Sequence, residues 1–313
     1  MSKKAPMVEV GFIIVSHEGG EKLHRLIEAL DREYDMPPIA IHHDFDQAPL
    51  DKGNFRNGIF WVENWVRTSW AKWSVVEGSL KAFRLLYEDT DADWFFLLSA
   101  SDYPVRKGQS VRQELAIATV DAFIDARPIV SGMTGAAVLS GCANAKLSHF
   151  DLVANQKLKW RFYFSRQWWF PIIRFRPRLR IGKWTYRPPL ESKHPFISGV
   201  TCFYGDHWFT ANRKVVATLL ERSLLNVELQ HHYKNRTQPD ESYYATLFAN
   251  TKGLKICRDN RRFAEWNGGG AHPMILTSAQ LPDIFKSNAF FARKFGDTPN
   301  LIEQVDAHLA AVS

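Results

Sequence analysis

Apolar positions follow two rhythms along the first hundred residues. Residues 8–15, VEVGFIIV, form a short apolar run that predicts a strand, and GGEKLHRLIEAL behind it sets Leu23, Leu26, Ile27 and Leu30 at helical spacing. IAIHHDFD follows as a second short strand with polar residues at its tip, completing a β-α-β unit. Residues 73–87 predict an amphipathic helix with Val76, Leu80, Phe83 and Leu86 on one face, and it feeds the unbroken apolar run WFFLL at 94–98. Runs of that kind mark strands buried on both faces. The alternation through residue 104 therefore predicts an α/β protein: a mixed, mostly parallel central sheet, flanked by helices, with its polar strand tips along one edge. Beyond it, FISGVTCFYGDHWFTANRKVVATLL reads as strands followed by a helix, TQPDESYYATLFAN as a helix start, and WNGGGAHP as a loop. Residues 299–312 close the chain as a helix with Leu301, Ile302, Val305 and Leu309 inward.

Composition narrows the class. The 313 residues are 45% hydrophobic and 23% charged, enough for a sizeable core and too little charge for wholesale disorder, and the chain reads as a single domain, 1–313. A net charge of +7 favours an anionic partner without choosing among nucleotide, phosphate, nucleic acid and acidic lipid. Cys142, Cys202 and Cys257 are far apart and odd in number, which fits a reducing compartment better than a disulfide framework. No secretory signal and no membrane span is read, so the expected location is cytoplasmic. The composition shifts at 157–193, where eleven Lys or Arg and ten aromatics accompany a single acid, Glu191. That segment is an insertion or a functional surface.

Candidate chemistry lies at the strand ends. Asp44 and Asp46 form a D-x-D that could hold a divalent ion through hard oxygens, though aspartate is equally at home in a solvated turn. His17, His42 and His43 also end strands, but adjacent strand residues face opposite ways, so His42 and His43 cannot both serve one ion. A single histidine touching a base or ribose is easier to build. Ser99, Ser101 and Asp102 crowd the end of the 94–98 run before Tyr103 and Pro104 turn the chain. In TQPDE, Pro239 stands near the first helical position with Asp240 and Glu241 after it, favourable for a helix start and suitable for a general base facing a cleft. Lys294, in NAFFARKFGD, could neutralise a diphosphate, while Gly268, Gly269 and Gly270 match no phosphate-loop pattern.

Taken in order, IIVSHEGGEKLHRLIEAL, IAIHHDFD, RTSWAKWSVVEGSLKAF, FFLLSASDYPVRKG, SGVTCFYGDHWFTANRKVV, QPDESYYATL, EWNGGGAHP and NAFFARKFGD resemble the core-2/I-branching β-1,6-N-acetylglucosaminyltransferase family. That family also holds the peptide O-xylosyltransferases and related plant glucuronosyltransferases. The resemblance spans roughly residues 8 to 310. It implies a GT-A type, Rossmann-like fold and an inverting glycosyl transfer from a UDP-sugar, with N-acetylglucosamine the first expectation, and no metal or other cofactor. Residue by residue it implies Glu241 as catalytic base, Val15, Asp44, Asp102 and Lys294 at the nucleotide-sugar, and Trp266 at the acceptor; by their positions beside these, His17, Arg67 and Ser101 are expected at the nucleotide-sugar and Asp240 at the acceptor. A second cation expected upstream of Lys294 is missing, since Ala271, His272 and Pro273 occupy its neighbourhood. Arg67, Arg262 and Arg293 are the substitutes.

The acceptor implied is a glycan or a lipid-linked sugar. Residues 157–193 suit either peripheral contact with an anionic membrane or a cationic acceptor groove. Two rival classes share parts of the pattern: a nucleic-acid-binding protein, disfavoured because no such module is recognisable and the basic residues concentrate in one segment, and a catalytically inactive, lectin-like protein.

Overall fold

β1 (Val10–Ser16) lies inside the chain's main sheet, paired in parallel with β2 (Ile39–His43) on one side and β4 (Trp94–Ser99) on the other. The computed structural model describes residues 7–129, 158–159, 161–165, 179–181, 184–186, 190–191, 194–196, 199–266 and 272–312. With β3 (Ile59–Trp61), β5 (Ala122–Ile124), β6 (Phe209–Asn212) and β7 (Ile256–Cys257), the sheet has seven strands in the order β7-β5-β6-β4-β1-β2-β3. Only β6 runs against its neighbours, β4 and β5, so the sheet is mixed and mostly parallel.

The apolar runs are long because both sheet faces are covered. Phe12 and Ile14 of β1 pack with Leu23, Leu26 and Leu30 of α1 (Gly20–Tyr34), whereas Ile13 and Val15 pack with Val76, Phe83 and Leu86 of α2 (Trp73–Asp89). Thus the first crossover covers one face and the second covers the other. The strand order reverses between β1 and β4, and such a reversal leaves a crevice beyond the carboxyl ends of the two strands. Gly78 of α2 permits the close fit there: a Cβ at that position would lie 2.8 Å from the ring of His42. His42 is fully buried, and its Nε2 accepts the N–H of Val66 at 3.1 Å, fixing the loop after β3.

Further helices among the described residues are α3 (Gly108–Ala116), α4 (Arg213–Leu220), α5 (Leu224–Tyr233), α6 (Tyr243–Asn250), α7 (Leu281–Lys286) and α8 (Pro299–Ala311). α8 presents Leu301, Ile302, Val305 and Leu309 to a core shared with Tyr103, Ala292 and Phe295, as its spacing predicts. That core backs a small sheet of Arg262–Ala264, Phe291–Arg293 and Tyr103–Pro104, which carries Arg293 to the mouth of the crevice.

One element differs from expectation. TQPDE does not open the helix; Pro239–Glu241 is a separate 3-10 turn, and α6 begins after Ser242, whose φ of −142° breaks the run. The fully buried Ser242 hydroxyl donates to the carbonyl of Phe203, pulling the backbone out of helical geometry and leaving Glu241 on a turn. The Gly268–Gly270 run and most of 157–193 lie outside the described residues. Among the described residues, no helix is long and apolar enough to cross a membrane.

Candidate active site

A cleft of about 510 Å³ opens beyond the carboxyl ends of β1 and β4. Val15 and His17 enter it from β1 and the loop after it; Ser99 and Ser101 come from the end of β4. Asp102 stands behind them, 1% exposed, and its Oδ2 accepts the backbone N–H and the hydroxyl of Ser99. Asp102 therefore shapes the cleft wall through Ser99. Asp44 works in the same way on the other side. Its Oδ2 accepts from the Thr68 backbone at 2.6 Å and from the Thr68 hydroxyl at 2.8 Å, and the side-chain amide of Gln47 donates to the same oxygen. Its Oδ1 takes the backbone N–H groups of Asp46 and Gln47. Burial pushes the Asp44 pKa up, but these donors outweigh it and hold the carboxyl below its ordinary range. Thr68 and Gln47 line the cleft; Asp44 does not.

Opposite these strand tips stands the 3-10 turn. Glu241 receives Arg161 Nη1 on Oε2 at 2.6 Å and Gln238 Nε2 on Oε1 at 2.5 Å. Burial raises its pKa above the usual carboxylate range, with Arg161 and Gln238 opposing the rise. Gln238 holds a left-handed conformation, φ 53° and ψ 52°, and its backbone N–H binds the carbonyl of Ala71, itself at φ 60°. Left-handed backbone at a residue other than glycine is uncommon and clusters at functional sites. Asp240, beside Glu241, is pushed up to about 7, first by burial and then by the neighbouring Glu241 charge.

Positive charge enters from the small sheet. Arg293, 6% exposed, lies with its guanidinium 4.2 Å over the Trp208 ring and its Nε 3.8 Å from Asp102 Oδ1, and it lines the cleft together with Lys294. Burial lowers the Lys294 pKa, and Arg293 lowers it further. Trp266 and Trp70 stand at the rim, 53% and 64% exposed, as flat apolar surfaces of the kind that stack on sugar rings.

The structure thus gathers Val15, His17, Ser101, Lys294, Asp240, Glu241 and Trp266 around one cleft. Asp44 and Asp102 lie one layer behind the surface. Arg67 is exposed and outside the cleft lining, and Arg262 donates to the carbonyl of Leu97 over the Phe291 ring, away from it. Of the three substitute cations, Arg293 alone lines the cleft. Arg161, Gln238, Asp206, His207, Trp208 and Trp70 were not singled out in the sequence. Arg161 belongs to the basic aromatic segment, and the other five lie within segments that carry the resemblance, where nothing marked them individually. Among the described residues, no three His, Cys, Asp or Glu side chains converge as metal ligands would.

Comparison with known proteins gives the family. The family model "Branch: Core-2/I-Branching enzyme" matches residues 10–169 and 175–288. The chain is similar to the beta-glucuronosyltransferase GlcAT14A of Arabidopsis thaliana, 25% identical over 235 residues, which cover 72% of this chain and 44% of that protein. It therefore spans less than half the length of that relative. Among solved structures, the bifunctional IspDF of Campylobacter jejuni aligns over 80% of this chain and 48% of its own at 10% identity, with a TM-score of 0.34. The 4-diphosphocytidyl-2C-methyl-D-erythritolsynthase of Anaerococcus prevotii aligns over 88% and 95% at 8% identity, with a TM-score of 0.35.

Proposed function

The chain belongs to the Core-2/I-branching enzyme family, a family of GT-A type fold, and from that premise we propose that it is an inverting glycosyltransferase moving a sugar from a UDP-sugar to a hydroxyl of a glycan or glycolipid without a metal ion. One observation supports this above the others: Glu241, Arg293 and Lys294 line the same cleft at the carboxyl ends of β1 and β4. The acceptor hydroxyl gives its proton to Glu241 as its oxygen attacks C1 of the donor sugar. The bond from C1 to the UDP oxygen breaks on the opposite side, and its electron pair leaves with the β-phosphate. Lys294 and Arg293 stabilise that charge, an effect commonly worth several kcal/mol for preorganised groups. Val15, His17 and Ser101 face the donor, Asp44 and Asp102 shape its pocket from behind, and Trp266 with Asp240 meets the acceptor.

Metal independence is part of the proposal. It is supported by the donor set around Asp44: an ion there would have to displace Thr68 and Gln47 from carboxylate oxygens they already occupy. N-acetylglucosamine is the first donor to test. Glucuronate is the second, favoured by the named activity of the Arabidopsis relative. Membrane contact through residues 157–193 rests on composition alone. The test is a panel of UDP-sugars, scored for turnover and thermal stabilisation with and without EDTA. Failure of every UDP-sugar to stabilise or turn over sinks the reading, and so does activity abolished by EDTA and restored by manganese.

A further inference from the structure

The cleft floor carries polar atoms that the fold leaves without partners. Among the described residues, neither ring nitrogen of His207 has a hydrogen-bond partner, although the residue is only 4% exposed; Asp240 Oδ1 is likewise buried without one, and Arg293 Nε, also buried, makes no hydrogen bond and only a 3.8 Å ion contact with Asp102. All three residues line the cleft. Buried polar groups are almost always bonded, because stripping them of water without replacement opposes folding. A phenylalanine would fill the place of His207 without that cost, since the ring packs against Trp208 at 4.7 Å and Tyr244 at 5.4 Å between centroids. The imidazole is thus poorly explained as a packing element.

We propose that His207 hydrogen-bonds a ring hydroxyl of the donor sugar, and so is the residue by which the cleft separates a UDP-sugar from UDP; this rests on the transferase reading above. Position favours the sugar over the nucleotide. The N–H of Gly205 donates to the carbonyl of Glu241 at 2.8 Å, and Asp206 Oδ1 accepts the backbone N–H of His207 at 2.8 Å, so the loop is tied to the turn bearing the base. The reacting C1 must sit within reach of the oxygen that Glu241 deprotonates, which puts the sugar ring over this loop and the diphosphate toward Lys294. Charge favours a hydroxyl. Burial, aided by Arg293, pushes the His207 pKa down to about 3, so the ring is neutral and offers one donor and one acceptor. A hydroxyl complements both, whereas a phosphate or carboxylate oxygen could use only the N–H and would leave the other ring nitrogen unpaired.

The experiment measures thermal stabilisation by UDP and by each UDP-sugar on wild type, His207→Phe and His207→Asn. His207→Phe keeps the aromatic packing and removes both unpartnered nitrogens. It is expected to melt, ligand-free, at or above the wild-type temperature and to bind UDP within about twofold of wild type. The advantage of the preferred UDP-sugar over UDP is expected to fall about tenfold, one hydrogen bond's worth. His207→Asn, which retains a donor and an acceptor, recovers part of it. A wild-type preference for UDP-sugar surviving in both variants overturns the role of His207 and leaves the transferase reading intact. An equal loss of UDP and UDP-sugar binding also overturns it, making the residue structural. No stabilisation of the wild type by UDP or any UDP-sugar takes down both.

Discussion

Arg161 and Glu241 form an ion pair 2.6 Å long whose cation comes from the basic aromatic segment and whose anion sits on the turn before α6. Gln238 holds the other carboxylate oxygen. A carboxylate so held still has a free lone pair on each oxygen. It is oriented, its pKa raised by burial with Arg161 opposing the rise, and each oxygen has room to accept a proton.

Replacing Glu241 by Gln keeps the shape of the side chain and removes the proton acceptor. Turnover is expected to fall about 10²- to 10⁴-fold, the usual worth of a positioned base, while thermal stabilisation by UDP is retained. Turnover within tenfold of wild type would exclude Glu241 as the base.

Arg161→Gln reads the ion pair directly. Glu241 must be deprotonated to act, so activity is lost as the pH falls through its pKa, which burial sets above the ordinary carboxylate range. Arg161 lowers that pKa, and its removal raises it further. The acid limb of the kcat/KM profile is therefore expected to move to higher pH in the variant, with the alkaline limb in place. An unmoved acid limb would show that the ion pair is not made in the working enzyme.

Lys294→Ala tests the leaving-group cation. It is expected to cost about 10²-fold in kcat, the scale of losing one preorganised charge partner, and EDTA is expected to leave both proteins unchanged. Burial and Arg293 lower the pKa of Lys294, so the wild-type rate should decline at a pH below the ordinary lysine value as the ammonium loses its proton. In Lys294→Ala that decline should be absent.

How far the sequence foretold this site depends on the kind of information each residue needed. WFFLL and VGFIIV announce buried strands because the run itself is the signal, yet an apolar run reads alike in either direction, and the antiparallel entry of β6 was not legible. Glu241 was found through its Pro-Asp-Glu setting and the resemblance. Asp44 was found as a strand-tip acid, but whether such an acid faces a ligand or a loop depends on Thr68, 24 residues away. Gln238 gave no warning, since left-handed turns are usually marked by Gly or Asn. Nothing local tells His207 from any other histidine. Its importance lies in partners it lacks, which only a folded chain reveals.

Asp240 makes stability depend on pH. Its carboxyl is raised from 3.8 to about 7 in the folded chain, so the stability it contributes is fully present below about pH 4 and is lost as the pH rises through about 7. Asp240→Asn mimics the neutral form at every pH. The variant is expected to match wild type near pH 4 and to exceed it by about 4 kcal/mol at pH 8, measured by denaturant unfolding of the ligand-free protein. Equal stability at both pH values would mean that Asp240 stays solvated in the native state.

Gly205 ties the loop bearing His207 to the turn bearing Glu241, and one methyl group tests the link. A Cβ at Gly205 would stand 1.8 Å from the backbone oxygen of Asp125. Unlike the end of a flexible side chain, that atom cannot swing aside, so either the segment at 125 or the loop bearing Asp206 and His207 must shift. The shift is expected to cost about 1–3 kcal/mol of stability, the usual range for overpacking. It should also reach the chemistry, because the Gly205 N–H binds the Glu241 carbonyl at 2.8 Å and a displaced loop drags or releases the turn that carries the base. Lys294 lies on a different element and keeps its place. Gly205→Ala is therefore expected to lower kcat at least about tenfold while UDP affinity stays within about twofold. A destabilised variant with wild-type kcat would show that the turn holds Glu241 without help from this loop; a matching loss of UDP affinity would mean the whole cleft had deformed.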